Sequence, residues 1–225
     1  MRRTNDLGKD PILQVVLRLS IPTMLAQLVS VLYSIVDRIY IGNIQGIGDL
    51  ALAGVGVCGP IVTLLSSFAS LVGLGGSPIM AMRMGEGRKK EAGRVLSNCF
   101  LMLLVLSVAL TAMFLLSKGQ LLRWFGASEA TFPYANTYLT IYTAGTFFAL
   151  MATGMNNFLI AQGFSGLGMA TVMLGAVLNI VLDPVFIFAL HMDVAGAAIA
   201  TVISQMASCA FVLTMLLRGV GQFEE

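Results

Sequence analysis

Charged residues are scarce in this sequence. Asp, Glu, Lys and Arg make up 11% of its 225 residues, and hydrophobic residues make up 57%, whereas ordinary globular domains carry about 25% charged residues. No charged residue occurs from residue 130 to residue 182. Uncharged stretches of this length are typical of membrane spans, because a bilayer core needs about 20 apolar helical residues. The composition therefore excludes an ordinary soluble domain and predicts a membrane protein.

Histidine and cysteine are also scarce, with one histidine, His191, and three cysteines. Cys58, Cys99 and Cys209 each lie in an apolar run without CxxC spacing, which favours small buried hydrophobic residues over a disulfide or a metal site. One histidine cannot build a His-based metal site, and a Ser-His-Asp set is not expected in a dry span. Basic blocks with interleaved aromatic residues are missing, so nucleic-acid binding is not predicted. The sequence therefore predicts neither an enzyme nor a cofactor.

Six apolar segments predict an all-α membrane protein, a bundle of six transmembrane helices. The expected spans cover about 19–41, 50–82, 95–116, 133–161, 169–190 and 194–217. Residues 1–18 and 219–225 are expected outside the membrane, and the connection 118–131 is expected to form a short interfacial helix. Pro22, Pro60 and Pro184 lie within spans and predict kinks, because proline cannot donate a backbone hydrogen bond.

Basic residues are concentrated on one side of this topology. The N-terminal segment, the loop 83–94 with its five basic residues, and Arg218 fall on that side, whereas Lys118 and Arg123 fall on the other. An excess of Lys and Arg marks the cytoplasmic face. We therefore expect a multi-pass protein of the plasma (inner) membrane with both termini in the cytoplasm.

Asp183 lies within an apolar span, four residues after Asn179. On a helix these two residues share a face, and Pro184 should free the carbonyl of Ile180. A carboxylate in hydrocarbon is costly unless it pairs with something or binds an ion or a proton. Asp37 is the other acid within a span. Two plainer interpretations stay open: Asp37 snorkels at a helix end, and Asp183 is a structural hydrogen-bond acceptor.

Further polar residues lie within the spans. Each one more often makes a helix–helix hydrogen bond than binds a ligand. Oxygen atoms are the ligands that hard cations such as Na⁺ take, so spans one, five and six would form a cation site if they meet. That site would use Asp37, Asn179, Asp183 and Thr201. A weaker pattern suggests a substrate cavity at Gln27, Tyr33, Met155 and Asn156.

Several motifs occur in an order that resembles the multidrug and toxic compound extrusion (MATE) transporters. They are Tyr33–Arg38 with Gly42, Met84–Gly87, Ala161–Gly163, and Leu178–Pro184 followed by 196–201. The resemblance extends from Leu13 to Leu217. One departure is Ile160, where the family often has an arginine.

The resemblance implies an antiporter that exports drugs or organic cations in exchange for H⁺ or Na⁺. It implies that Asp37, Asn179, Asp183 and Thr201 form the coupling site, with Asn157, or its neighbour Asn156, as the matching helix-four asparagine. Family members have two six-helix lobes with the substrate between them, and this sequence matches the first lobe. The implied partners are the lipid bilayer, cationic or amphipathic small molecules, and a second six-helix lobe, either another copy or a C-terminal half.

Two alternatives remain open from the sequence. The chain is a non-transporting half-length fragment or assembly subunit, or it is a flippase or polysaccharide exporter of related architecture. The second alternative predicts a basic central cavity, and the lack of Lys or Arg deep in the spans argues against it.

Overall fold

The computed structural model describes residues 11–220, and every regular element in that range is helical. The helices are α1 (Ile12–Gly42), α2 (Gly48–Gly85), α3 (Lys89–Trp124), α4 (Phe132–Ala144), α5 (Thr146–Ala161), α6 (Ser165–Pro184) and α7 (Asp193–Val220). A π-helical turn, Val185–Ala189, extends α6. The predicted all-α class is confirmed.

Five of these elements are long and apolar enough to cross a membrane: α1, α2, α3, α7, and α6 together with its π-helical turn. The helices α4 and α5 meet this criterion only as a pair, which is bent by 58°. Counting the bent pair as one span gives six candidate spans in residues 11–220.

The predicted span over 133–161 is interrupted in the structure, because the helix breaks at Gly145. A Cβ atom at this position would lie 2.8 Å from both methyl groups of Val202 on α7, so only glycine allows this approach. The Thr146 hydroxyl donates to the carbonyl of Thr143 at 2.6 Å. This bond satisfies an acceptor at the break, which lowers the cost of interrupting the helix inside an apolar bundle.

The predicted interfacial helix in 118–131 is also corrected. Instead, α3 continues to Trp124 because Leu122 is fully buried in the core, while Trp124 at its end is 73% exposed. At the other end of the bundle, α1 begins before the expected residue 19. The Ser165 hydroxyl donates to the carbonyl of Arg18 at 3.1 Å and so ties this extension to the start of α6.

Parts of the predicted terminal segments lie outside the described residues. These parts are 1–10, which include Arg2, Arg3 and Lys9, and 221–225. The cytoplasmic location of both termini stays a prediction.

The helices pack around α2, α6 and α7. The helix α6 lies between α1 and α7, α7 contacts α4 and α5, and α2 contacts α3, α4 and α5. Large buried side chains such as Phe114, Phe158 and Leu103 fill the core. In α1, only Ala26 and Ile41 are buried. This helix therefore packs mainly against α6. That packing places Asp37 of α1 opposite Asp183 of α6.

Candidate functional site

A chain of polar side chains links α6 to α7. Asp183 is 0% exposed and Asn179, one turn earlier, is 2% exposed. The Asn179 amide donates to Asp183 Oδ1 at 3.3 Å and to Thr201 Oγ1 at 3.3 Å. The Thr201 hydroxyl in turn donates to the carbonyl of Ala197 at 3.0 Å. The spacing of four residues on α6 therefore places both side chains on the face that contacts α7.

The helix α1 brings a second carboxyl group to this cluster. The side chains of Asp37 and Asp183 are close enough to interact directly. Tyr33, one turn before Asp37, interacts with Ser30 and electrostatically with both carboxyl groups. Two carboxylates that face each other in an apolar interior repel, so binding of a proton or a cation between them is favourable.

Three oxygen atoms of this cluster are buried and have no hydrogen-bond partner among the described residues. They are Asp37 Oδ1, Asn179 Oδ1 and Asp183 Oδ2. A buried polar atom without a partner costs about 1–3 kcal/mol, and more if it is charged. Together with the Thr201 hydroxyl, these oxygen atoms are suitable ligands for a hard monovalent cation such as Na⁺. The carboxylate oxygens among them can also take up a proton.

A cavity of about 460 Å³ adjoins the cluster between α1, α2, α5, α6 and α7, and we call it the polar cavity after the polar residues in its wall. Asn179 and Thr201 belong both to the cluster and to the cavity wall. The polar residues of the wall are Thr23, Gln27, Ser30, Tyr33, Ser70, Thr153, Asn156, Asn157, Thr171, Asn179, Thr201, Ser204, Gln205 and Ser208. The cavity thus offers many neutral hydrogen-bonding groups.

The asparagines of α5, Asn156 and Asn157, make hydrogen bonds to backbone carbonyl groups. Asn157 donates to the carbonyl of Thr153 at 3.1 Å, and Asn156 donates to the carbonyl of Gly168 at 3.3 Å. Both line the cavity. In the described part of the chain, neither hydrogen-bonds to Asp37 or Asp183. Asn157 therefore lies in the cavity wall, and its part in ion or proton coupling stays a prediction.

The structure places the four predicted cavity residues differently. Gln27, Tyr33 and Asn156 line the cavity, but Met155 is 1% exposed and packs in the hydrophobic core. Consecutive residues of a helix point about 100° apart. Since Asn156 faces the cavity, Met155 turns toward the core.

The three predicted kink positions differ in the structure. Pro22 lies inside α1 and Pro60 inside α2, and both helices continue past them. Pro184 ends α6, and in the π-helical turn that follows, the Leu190 N–H donates to the carbonyl of Val185 at 2.9 Å. Proline disrupts the α-helical ladder, and π-helical turns often occur at functional sites.

Thr171 and Ser208 are cavity residues that sequence reasoning missed. The Ser208 hydroxyl donates to the carbonyl of Thr171 at 3.0 Å, which ties α7 to α6 at the cavity wall. A signal was present in the sequence, because Thr171 lies eight residues before Asn179 and so falls within about 80° of it around the helix.

We expect Asn179→Ala to lower the free energy of unfolding by about 1–3 kcal/mol, since it removes the donor to two buried oxygens. For a protein of this size the apparent Tm should fall by about 2–10 °C. Thermal unfolding in detergent measures this. The matched control is Asn157→Ala, which loses a bond within its own helix and should change stability by less than about 0.5 kcal/mol. Equal shifts in both variants would contradict the central position of Asn179.

A bundle of membrane spans that holds an acid pair beside a polar cavity is typical of secondary transporters. The family model MatE matches residues 22–185, and the chain belongs to this family of transporters. The resemblance predicted from the sequence is therefore confirmed, and the family is one of membrane transporters, not of enzymes.

Two curated relatives illustrate the range of the family. The chain is 29% identical over 196 residues to the multidrug export protein MepA of Staphylococcus haemolyticus, covering 87% of this chain and 43% of that protein. It is 27% identical over 208 residues to the FAD transporter of Shewanella oneidensis, covering 91% of this chain and 45% of that protein. The chain thus spans about half the length of the curated relatives it matches.

A solved structure agrees with this result. It is the outward-facing conformation of a multidrug resistance MATE family transporter of the MOP superfamily. The TM-score is 0.84 at 32% sequence identity, and the alignment covers 90% of this chain and 44% of that one. The six candidate spans therefore correspond to half of a MATE transporter, and the chain is a multi-pass membrane protein.

Proposed function

We propose that this chain is one lobe of an antiporter that exports drugs or other amphipathic small molecules in exchange for H⁺ or Na⁺. The observation that carries this proposal is the meeting of Asp37 and Asp183, from two separate helices, inside a membrane-spanning bundle. Their cluster contains three buried oxygen atoms without hydrogen-bond partners among residues 11–220. Such an arrangement favours the uptake of a proton or a cation.

The coupling follows from shared residues. Asn179 bonds to Asp183 and also lines the cavity, as does Thr201. A proton or Na⁺ at the carboxyl groups therefore changes the hydrogen bonds of the cavity wall, and the helices repack near Pro22 and Pro184. Cargo and ion then lower each other's affinity by the same factor, as linkage requires.

The proposal includes a second six-helix lobe and a defined orientation. The chain covers 43% and 45% of the two relatives above, and in a MATE-type transporter the cargo path lies between two lobes. We propose that another copy of this chain or a C-terminal half supplies the second lobe. In the same proposal, the protein lies in the plasma membrane with both termini in the cytoplasm.

Ion binding tests the coupling site directly. The chain in lipid nanodiscs is heated at increasing Na⁺ with K⁺ as the balancing ion, and in a separate series at decreasing pH without Na⁺. An ion at 100 times its Kd stabilises the folded state by about 2.7 kcal/mol, so the apparent Tm should rise by about 5–10 °C. The series that gives this rise identifies the coupling ion.

Two variants make this test specific. Asp183→Asn should lose the ion-dependent rise, because the charge that the ion neutralises is gone. Asp193→Asn, at the exposed acid with which α7 begins, should retain it. Asparagine also tolerates the left-handed backbone of this position, where φ is 49°. An unchanged rise in Asp183→Asn would show that ions bind elsewhere.

A further inference from the structure

The wall of the polar cavity carries no charged side chain within the described part of the chain. Asp37 and Asp183 are not among the residues of this wall. A cationic molecule in the cavity would therefore find hydrogen-bond partners but no carboxylate in direct contact. A cavity of this kind suits a neutral polar or aromatic group.

A second space lies along α1 beside the cavity. It is a groove of about 470 Å³, lined by Gln27, Ser30, Val31, Tyr33, Ser34, Ile35 and Arg38. Gln27, Ser30 and Tyr33 line both spaces, so the groove and the cavity adjoin each other. Among the described residues that line the cavity and the groove, Arg38 is the only charged one.

The groove follows a polar stripe on an apolar helix. Gln27, Ser30, Ser34 and Arg38 are three or four residues apart and so share one face of α1. Leu28 and Leu32 beside the stripe are each 60% exposed. A polar stripe on the outer surface of a membrane helix faces a water-filled path or a partner more favourably than it faces lipid. Arg38 lies at one end of this stripe.

Arg38 is available to bind a ligand. It is exposed, and it forms no ion pair with any residue in 11–220. Its nearest opposite charge is Asp37, which attracts it electrostatically but interacts directly with Asp183. A guanidinium group offers five N–H donors in a planar fork that fits carboxylate and phosphate groups.

We propose that Arg38 binds the anionic group of the cargo. The favoured cargo is then an amphiphile with one carboxylate or phosphate group, whose uncharged part occupies the polar cavity. This inference rests on the proposed export function and narrows its cargo class. Anionic and zwitterionic amphiphiles are favoured over purely cationic ones, because the only charged residue that lines the cavity or the groove in the described structure is the positive Arg38.

Three fluorescent probes with one common ring system test the proposal: dansylglycine (anionic), dansylamide (neutral) and dansylcadaverine (cationic). Binding is measured by fluorescence to the full chain in phosphatidylcholine nanodiscs, with empty nanodiscs subtracted. We expect dansylglycine to bind about tenfold more tightly than either of the others, the size of one charge-assisted hydrogen bond. Arg38→Gln should remove this preference, and Arg38→Glu should reverse it in favour of dansylcadaverine.

The matched control is Arg123→Gln. The Arg123 guanidinium lies 5.7 Å from the ring centre of Phe132, away from the groove, so the preference should persist in this variant. The proposal is overturned if wild-type protein binds the three probes equally, prefers the cationic probe, or shows no binding above empty nanodiscs. It is also overturned if Arg38→Gln weakens all three probes equally, since that would indicate a structural role.

An anionic lipid headgroup has the same kind of negatively charged group as an exported anion. One further experiment distinguishes lipid from cargo at Arg38. Nanodiscs with added phosphatidylglycerol weaken dansylglycine binding in an Arg38-dependent way if lipid occupies the site, and leave it unchanged if the site selects cargo. Unchanged binding supports the cargo site, whereas Arg38-dependent weakening overturns it in favour of a site for anionic lipid. The ion-dependent Tm rise is measured on the same samples. Loss of the charge preference with a normal Tm rise would overturn the cargo class alone and leave the antiport proposal standing.

Discussion

Asp183→Asn is expected to reduce ion-driven efflux by the assembled transporter at least tenfold without unfolding the chain. Asparagine has nearly the same shape as aspartate and keeps an oxygen that accepts the Asn179 amide bond, 3.3 Å long in the native chain. The substitution removes the charge that a proton or Na⁺ neutralises. The driving ion then no longer changes the hydrogen bonds of the cavity wall. Stability should equal or exceed that of the native chain, because a buried charge is costly.

The measurement is the initial rate of efflux of a fluorescent substrate under an imposed H⁺ or Na⁺ gradient, together with the apparent Tm of the same preparations. Asp193→Asn is the control for removing an acid and should transport at the native rate. A native rate in Asp183→Asn would remove Asp183 from the coupling site. A low rate with a strongly lowered Tm would show that Asp183 is a structural acceptor, the plainer interpretation of this residue.

Gly196→Ala is expected to destabilise the protein by about 1–3 kcal/mol, the usual cost of overpacking. A Cβ atom at this position would lie 2.7 Å from the carbonyl carbon and oxygen of Phe186 and 3.0 Å from the nitrogen of Ile187. These are backbone atoms of the turn after Pro184, and they cannot move aside as a side chain can. The helix α7 must therefore shift away from α6, which also stretches the bond between Asn179 and Thr201.

Two readouts check this prediction: the apparent Tm should fall by about 2–10 °C, and the ion-dependent rise in Tm should shrink. Gly56→Ala is the matched control, because a Cβ atom on this α2 glycine meets nothing within 4 Å. Alanine is favoured over glycine in helices by about 1 kcal/mol, so this control should be as stable as the native chain or slightly more so. Native-like stability of Gly196→Ala would contradict the tight contact between α7 and the turn.

Local properties of the sequence were enough to predict the class of the protein and the part of the candidate site that lies on α6. Hydropathy depends on neighbouring residues, so the six apolar segments predicted the six candidate spans. Helical periodicity placed Asn179 and Asp183 on one face, and their hydrogen bond needs only that spacing. The motif order was enough to identify the family, since it needs no knowledge of packing.

Contacts between distant segments decided the rest. The close approach of Gly145 to Val202 depends on how α7 packs against the break, and the burial of Met155 depends on which side of α5 faces the core. Asp37 reaches Asp183 because α1 packs on α6, and the position of Arg38 at the end of a groove follows from the same packing. Such contacts join residues far apart in the chain. Sequence alone therefore determined which helices form and what chemistry they carry, while tertiary packing decided which side chains meet, because helix faces acquire partners only when the bundle assembles.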